Sequence, residues 1–288
     1  MIKAVIWGSG GQDGYYLSNL LQSNGVQVTG VGRSGNVSKI DSTDFDAVGT
    51  FIKQQQPDYI FHFAANSTTR HSAWKENHDT ISTGCLNILE AVKEYSSHTK
   101  VFLSGSGLQF KNEGKPIKET DPFEASSIYA ATRIHTVYMA RYYRSLGIKT
   151  YVGYFFNHDS PLRTERHINK KIIDAAKQIA AGSKEKLTIG DLSVKKEYGF
   201  AGDIVRAVWL LVQQEKITEA VIGTGKAYSI EEWVNICFSG YGLKWEDHIV
   251  EATAYVPEYK ILVSDPALIF SLGWKPEVNI EQLAQMMN

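Results

Sequence analysis

The chain begins with an apolar strand that runs straight into glycines: Ile2, Ala4, Val5, Ile6 and Trp7 lead into Gly8-Ser-Gly-Gly-Gln-Asp-Gly14. Glycines at 8, 11 and 14, followed by Tyr15-Tyr-Leu-Ser-Asn-Leu-Leu21, read as strand, tight turn and helix. Such a turn presents bare backbone N–H groups at a helix N-terminus, where the partial positive charge favours a dinucleotide pyrophosphate. A side chain at any of these glycines would obstruct the turn, the approach to phosphate or the packing of helix on strand. The spacing is G-x-x-G-x-x-G, with Gly10 as an extra glycine, and differs from the dehydrogenase form G-x-G-x-x-G. Gly8, Gly11, Gln12, Asp13 and Gly14 are therefore candidate cofactor-binding residues.

The same alternation continues downstream. Val26–Val31, Tyr59–Ala65, Lys100–Ser104 and Lys149–Phe156 are short runs rich in β-branched or aromatic residues, separated by helical periods at Asp44–Gln55, Thr80–Tyr95 and Ser127–Leu146. Strands alternating with helices predict a parallel sheet covered on both faces, with ligands outside the carboxyl ends of its strands. After Phe156 come a turn-rich segment, Asn157–Pro161, a helix from about Arg166 to Ala181, a sheet-covering helix at Asp203–Gln213 and a late strand at Ala220–Ile222. Ser229–Asn288 reads as short helices and loops. The expected fold is α/β, a Rossmann-type doubly wound parallel sheet with a smaller C-terminal substrate lobe. Residues 1–157 form the dinucleotide-binding domain, 200–228 return to it, and 158–288 make a discontinuous substrate-binding lobe.

The bulk properties narrow the class. Hydrophobic residues make up 43% and charged residues 21% of 288, ordinary for a globular chain. The formal net charge of −1 gives no argument for nucleic acid or an anionic membrane as partner, and neither is expected. Cys85 and Cys237 stand apart, outside any C-x-x-C pair, and read as small buried residues in a reducing compartment, neither disulfide nor metal ligands. The first strand starts at once, and no apolar run reaches the roughly 18 residues of a membrane span. A cytoplasmic location and no metal are expected.

Further candidates lie at the strand ends. The second strand ends in Gly32-Arg33-Ser34, where an acidic residue would bind the ribose hydroxyls of NAD and an arginine would instead receive a 2′-phosphate. Arg33 and Ser34 therefore point to NADP, with NAD as the alternative. Asp41 is placed to accept from an adenine amino group, or else caps the helix that starts near Asp44. Ala64, Ala65 and Asn66 offer small and polar groups to a cofactor backbone, and Ser104 and Ser106 offer hydroxyls to a substrate oxygen. Tyr129 and Arg133 lie four apart on one helix face. A phenol near a fixed cation ionises more readily and can shuttle protons to a sugar hydroxyl or carbonyl.

These residues together resemble the extended short-chain dehydrogenase/reductases, and within them the GDP-mannose 4,6-dehydratase family. The resemblance rests on Gly11-Gln-Asp-Gly14, Gly32-Arg33, Asp121-Pro-Phe123 with Tyr129-Ala-Ala-Thr-Arg133, and Phe156-Asn-His-Asp-Ser-Pro161. It continues through Glu197-Tyr-Gly-Phe-Ala-Gly-Asp203, Ala207-Val-Trp209 and Gly273-Trp-Lys-Pro276, in family order over nearly the whole chain. It implies an NADP site, also involving Tyr129 and Arg133, and a GDP-hexose between the domain and the lobe. Family dehydratases oxidise the sugar at C4, eliminate water across C5 and C6 and return hydride to C6. The resemblance also implies that Asn157 touches the sugar diphosphate, with Lys171 and Lys196 contacting phosphate or ribose and Glu258 retained from the nucleotide motif. Pairing through two long helices, here Thr80–Tyr95 and Ser127–Leu146 with Tyr138, Tyr142 and Tyr143, implies a homodimer or homotetramer.

The departures from the family shape the expected chemistry. The family's Tyr-x-x-x-Lys ends here in Arg133, a bulkier and planar cation. Its Ser-Thr-Ser-Glu-Leu-Tyr-Gly aligns with Ser104–Phe110, so the catalytic threonine becomes Gly105 and the eliminating glutamate becomes Gly107. An arginine of the nucleotide motif becomes Tyr255. Without the glutamate, no evident base remains for the C5 proton, a loss of roughly 100- to 10,000-fold. The expected activity is oxidation or reduction at a carbonyl or hydroxyl of a nucleotide-linked sugar, weakly favouring a GDP-sugar, through Tyr129, Arg133, and Ser104 or Ser106. One alternative is a true 4,6-dehydratase with an acid/base relocated to His71 or His158. Another is a cofactor-binding regulator or assembly partner without catalysis.

Overall fold

The computed structural model describes residues 1–33 and 37–288, so Ser34 lies outside the described residues. Strands β1 (Lys3–Trp7), β2 (Gln27–Val31), β3 (Tyr59–His62), β4 (Lys100–Ser106), β5 (Thr150–Phe155) and β6 (Glu219–Ile222) form one six-stranded sheet. Its order is β6-β5-β4-β3-β1-β2, and every pairing is parallel. The chain reverses its direction of travel across the sheet at β1, which pairs with both β2 and β3. The glycine turn therefore opens at the topological switch point.

The apolar runs reflect burial on both faces. In β1, Val5 and Trp7 pack in one core with Val48, Ile52, Ile88, Leu89 and Val137, whereas Ala4 and Ile6 pack in the other with Leu17, Leu21, Ile204, Val208 and Leu211. Helices α2 (Phe45–Gln55), α3 (Gly84–Tyr95) and α4 (Ile128–Ser145) cover the first face. Helices α1 (Gln12–Ser23) and α6 (Ala201–Val212) cover the second. Caps define the starts. Asp44 accepts from the Ala47 N–H at 3.0 Å and Ser127 from the Ala130 N–H at 3.1 Å, so Asp44, not Asp41, caps α2.

A third core gathers α5 (Ile168–Ala180), α7 (Ile230–Ser239) and α8 (Ile280–Met287) around Ile172, Trp233, Phe238 and Leu283. Between them run short strands at Leu187–Ile189, Lys195–Glu197, Ala227–Ser229, Ile249–Glu251 and Ile261–Leu262. The expectation of only helices and loops after Ser229 is thus corrected. Strands of two or three residues are too short to display a period-2 pattern. A second correction concerns the helix expected from Thr80. It is preceded by a helical turn at Trp74–Asn77 and a widened π-helical stretch at His78–Thr83. No helix among the described residues is long and apolar enough to cross a membrane.

Candidate active site

Two cavities flank the glycine turn at the carboxyl ends of the strands. One, of about 1020 Å³, is lined by Trp7, Gly32, Arg33, Asp41, Ala64 and Glu76 among others. The other, of about 280 Å³, is lined by Gln12, Ser104, Ser106, Tyr129, Arg133, Asn157 and His167 among others. Gly8, Gly11, Phe63 and Ala65 belong to both walls, so the turn forms the saddle between them.

Two of the glycines are required by geometry. Gly8 has φ +84, and a Cβ on it would lie 2.7 Å from the Ala64 nitrogen. A Cβ on Gly14 would lie 2.4 Å from the Gly8 carbonyl oxygen. At Gly11, the N-cap of α1, the nearest protein atom to such a Cβ is 3.4 Å away, so the turn itself does not demand glycine there. Asp13 lines the smaller cavity. Its carboxylate is engaged by His158 Nε2 at 2.9 Å, while His158 Nδ1 meets the Phe156 carbonyl at 2.7 Å. Both partners are acceptors, so both ring nitrogens donate and the buried imidazole is held as its cation. Burial opposes ionisation of each group, yet their mutual charge and hydrogen bond raise the His158 pKa and lower that of Asp13. Gln12 completes the link by donating to the His158 carbonyl at 3.3 Å and accepting from Ser160 Oγ at 2.9 Å.

On the larger cavity, Arg33 pairs with Glu76 at 2.9 Å, and Asn66 Nδ2 donates to the same carboxylate at 2.8 Å. These contacts hold the Glu76 pKa below its ordinary value, the Arg33 hydrogen bond most strongly. Asp41 lines this cavity too, with one oxygen engaged by the Thr43 N–H and hydroxyl at 2.9 and 2.8 Å. Glu76 lies outside any motif, and nothing in the sequence linked it to Arg33, 43 positions away. Trp7 is a second unforeseen feature: its buried indole N–H has no hydrogen-bond partner among the described residues.

In the smaller cavity, Tyr129 and Arg133 are 8% and 4% exposed, and the guanidinium carbon lies 5.2 Å from the phenol ring centre. Arg133 Nη1 donates to the Ser104 carbonyl and, at 2.8 Å, to Ser104 Oγ. Ser104 Oγ in turn donates to the His62 carbonyl at 3.0 Å, so its proton is already committed and the residue positions Arg133. Ser106 Oγ accepts from the Leu108 N–H at 3.2 Å and keeps its own proton for another acceptor. Burial first, and the Arg133 charge second, push His62 down to about 4, so the cation faces a neutral imidazole.

Two of the positions that depart from the family, Gly105 and Gly107, are closed to a side chain. A Cβ on Gly105 would fall 2.8 Å from the Tyr154 ring, and one on Gly107 2.8 Å from the Phe156 ring. Of the substrate candidates, Asn157 lines the cavity and its buried Oδ1 has no partner among the described residues. Glu258 accepts from Thr69 Oγ1 at 3.3 Å in an adjoining cavity of about 400 Å³. Lys196 is buried against the Tyr198 ring, and burial depresses it to about 8 despite the opposing pull of Asp159. It is not among the residues lining the smaller cavity. α5 buries Asn169, Ile172, Ile173 and Ala176, which leaves Lys171 on the outer face and outside the residues lining the smaller cavity. Of the relocated acid/base candidates, His71 is exposed and outside both cavity walls, and His158 lines the smaller cavity with both nitrogens engaged. His167, which no motif singled out, does line the cavity.

An open parallel α/β sheet with glycine turn, strand-end serine and helical tyrosine around one groove defines a Rossmann-type protein of the short-chain dehydrogenase/reductase kind. The family model for GDP-mannose 4,6 dehydratase matches residues 5–287, and the chain belongs to that family. The GDP-mannose 4,6 dehydratase 2 of Arabidopsis thaliana is 33% identical over 99% of this chain and 85% of its own length. The fold is shared with the UDP-glucose 4-epimerase of Thermus thermophilus, solved with NAD, at TM-score 0.84 and 21% identity, covering 99% of each chain. It is also shared with RMD from Pseudomonas aeruginosa, solved with NADPH, at TM-score 0.86 and 19% identity over 100% of this chain and 96% of that one.

Proposed function

We propose that this chain is an NADP-dependent oxidoreductase acting at a carbonyl or hydroxyl carbon of a nucleotide-linked sugar, with a GDP-sugar favoured and NAD as the alternative cofactor. One observation carries the reading: the buried Tyr129–Arg133 pair lines the same cavity as Gly8, Gly11 and Gly14. The glycine cradle, the open side of Gly11 and the unpartnered Trp7 N–H fit a dinucleotide, and Arg33 fits a 2′-phosphate once it exchanges Glu76 for it. Such a dinucleotide, when bound, supplies or accepts hydride. Tyr129 gives its proton to the carbonyl oxygen during reduction and takes it back in reverse. Arg133 keeps a positive charge beside the phenol, and Ser106 donates a hydrogen bond to the same oxygen. None of these roles needs a side chain at Gly105 or Gly107. Elimination of water would need a base for C5, and Gly107 supplies none.

The fitting test is nicotinamide absorbance during incubation with 4-keto and 4-hydroxy nucleotide sugars. Turnover with at least one is expected, and no change with any would remove the proposal. A second reading, cofactor binding without catalysis, is favoured by Arg133 being held on Ser104. For assembly, we read exposed Leu86, Tyr138 and Tyr142 on α3 and α4 as the pairing surface of a homodimer. Tyr143 is excluded from that surface, since it is buried and bonds Glu90 between the two helices at 2.6 Å.

A further inference from the structure

We infer that His167 recognises a hydroxyl of the bound sugar, an inference that rests on the nucleotide-sugar reading above. His167 sits immediately before α5 in extended backbone, and its side chain does not cap the helix. His167 lines the cavity that Tyr129, Asn157 and Arg163 also line. Its neighbours are mostly cationic: Arg163, Lys196 and Arg166 face it, with Asp159 the opposing charge. Burial first and then these cations push His167 down to about 4, and the positive end of α5 acts in the same direction.

A neutral imidazole offers one N–H and one lone pair. A sugar hydroxyl also offers one donor and acceptor lone pairs, so the two match in either orientation. A diphosphate oxygen only accepts and gains more from a cation than from a neutral ring; on the same wall Arg163 is such a cation, paired with Asp159 and bonded to the His158 carbonyl. Asn157 strengthens the argument. Its buried Oδ1 lacks a donor among the described residues, and a hydroxyl-bearing ligand in the cavity supplies one.

Titration calorimetry of GDP and GDP-mannose into the full-length chain isolates the sugar contact. His167→Phe is expected to weaken GDP-mannose about tenfold, the loss of one hydrogen bond in a desolvated site, and to leave GDP within about twofold. His167→Gln, which keeps a donor and an acceptor, is expected to recover most of the loss. Equal weakening of both ligands, weakening of neither, or wild-type protein that binds GDP-mannose no tighter than GDP would each overturn the inference. A His167-dependent preference for GDP-mannose without turnover of any nucleotide sugar would uphold it while defeating the oxidoreductase reading.

Discussion

Gly107 and Phe156 illustrate how one missing side chain changes what the site can do. The Phe156 ring occupies the space a Cβ at 107 would need, so the lost glutamate is not a vacancy waiting to be refilled. Gly107→Glu is expected to lower unfolding free energy by about 1–3 kcal/mol through overpacking. It should also yield no loss of water from GDP-mannose by mass spectrometry. Tyr129→Phe removes only the phenol oxygen. Turnover should fall roughly 100- to 10,000-fold while dinucleotide affinity holds, read by steady-state rates beside a cofactor titration. Arg33 is 85% exposed in its side chain, so its pair with Glu76 is an easily exchanged surface contact. Arg33→Ala is expected to weaken NADPH about tenfold with little effect on NADH, an order of magnitude typical of losing one phosphate-pairing arginine.

At the scale of elements, the glycine turn and the 156–160 segment act as one unit because Gln12 and Asp13 bond His158 and Ser160. That link explains why two motifs near 145 positions apart belong to one cavity. The raised His158 pKa contributes stability that is complete below its ordinary value near 6.5 and lost as pH rises through the folded value. The lowered Asp13 pKa contributes stability present above about 3.9 and lost as pH falls through the folded value. The advantage of wild type over His158→Asn in denaturant melts is therefore expected to peak, at about 3 kcal/mol, between roughly pH 4 and 6.5 and to shrink as pH rises through the folded His158 value.

Strands and long helices were legible because two-sided burial leaves continuous apolar runs and capping residues mark the starts, as at Ser127. The glycine turn was legible for the same local reason. The His158–Asp13 pair, the Arg33–Glu76 pair and His167 were not, since each depends on long-range contacts that no periodicity encodes. Among the strand-end serines, sequence offered Ser104 and Ser106 equally. Only the path of Ser104's proton to the His62 carbonyl separates them.

For the whole molecule, two cores hold a six-stranded sheet whose switch point lies under the groove, a third core gathers α5, α7 and α8, and His167, just before α5, lines the cavity from the far half of the chain. A dinucleotide that binds the folded groove and not the unfolded chain stabilises by about 2.7 kcal/mol at a hundredfold excess over Kd. Melting of the cofactor-saturated protein should then rise by several degrees, at roughly 2–4 °C per kcal/mol for a chain near this size. Gly14→Ala, with its Cβ set against the Gly8 carbonyl, should abolish that rise. The most direct test of the central claim is calorimetric titration of wild-type protein with NADPH and NADH. A saturable single site that prefers NADPH is predicted, and absence of binding by both would contradict the account.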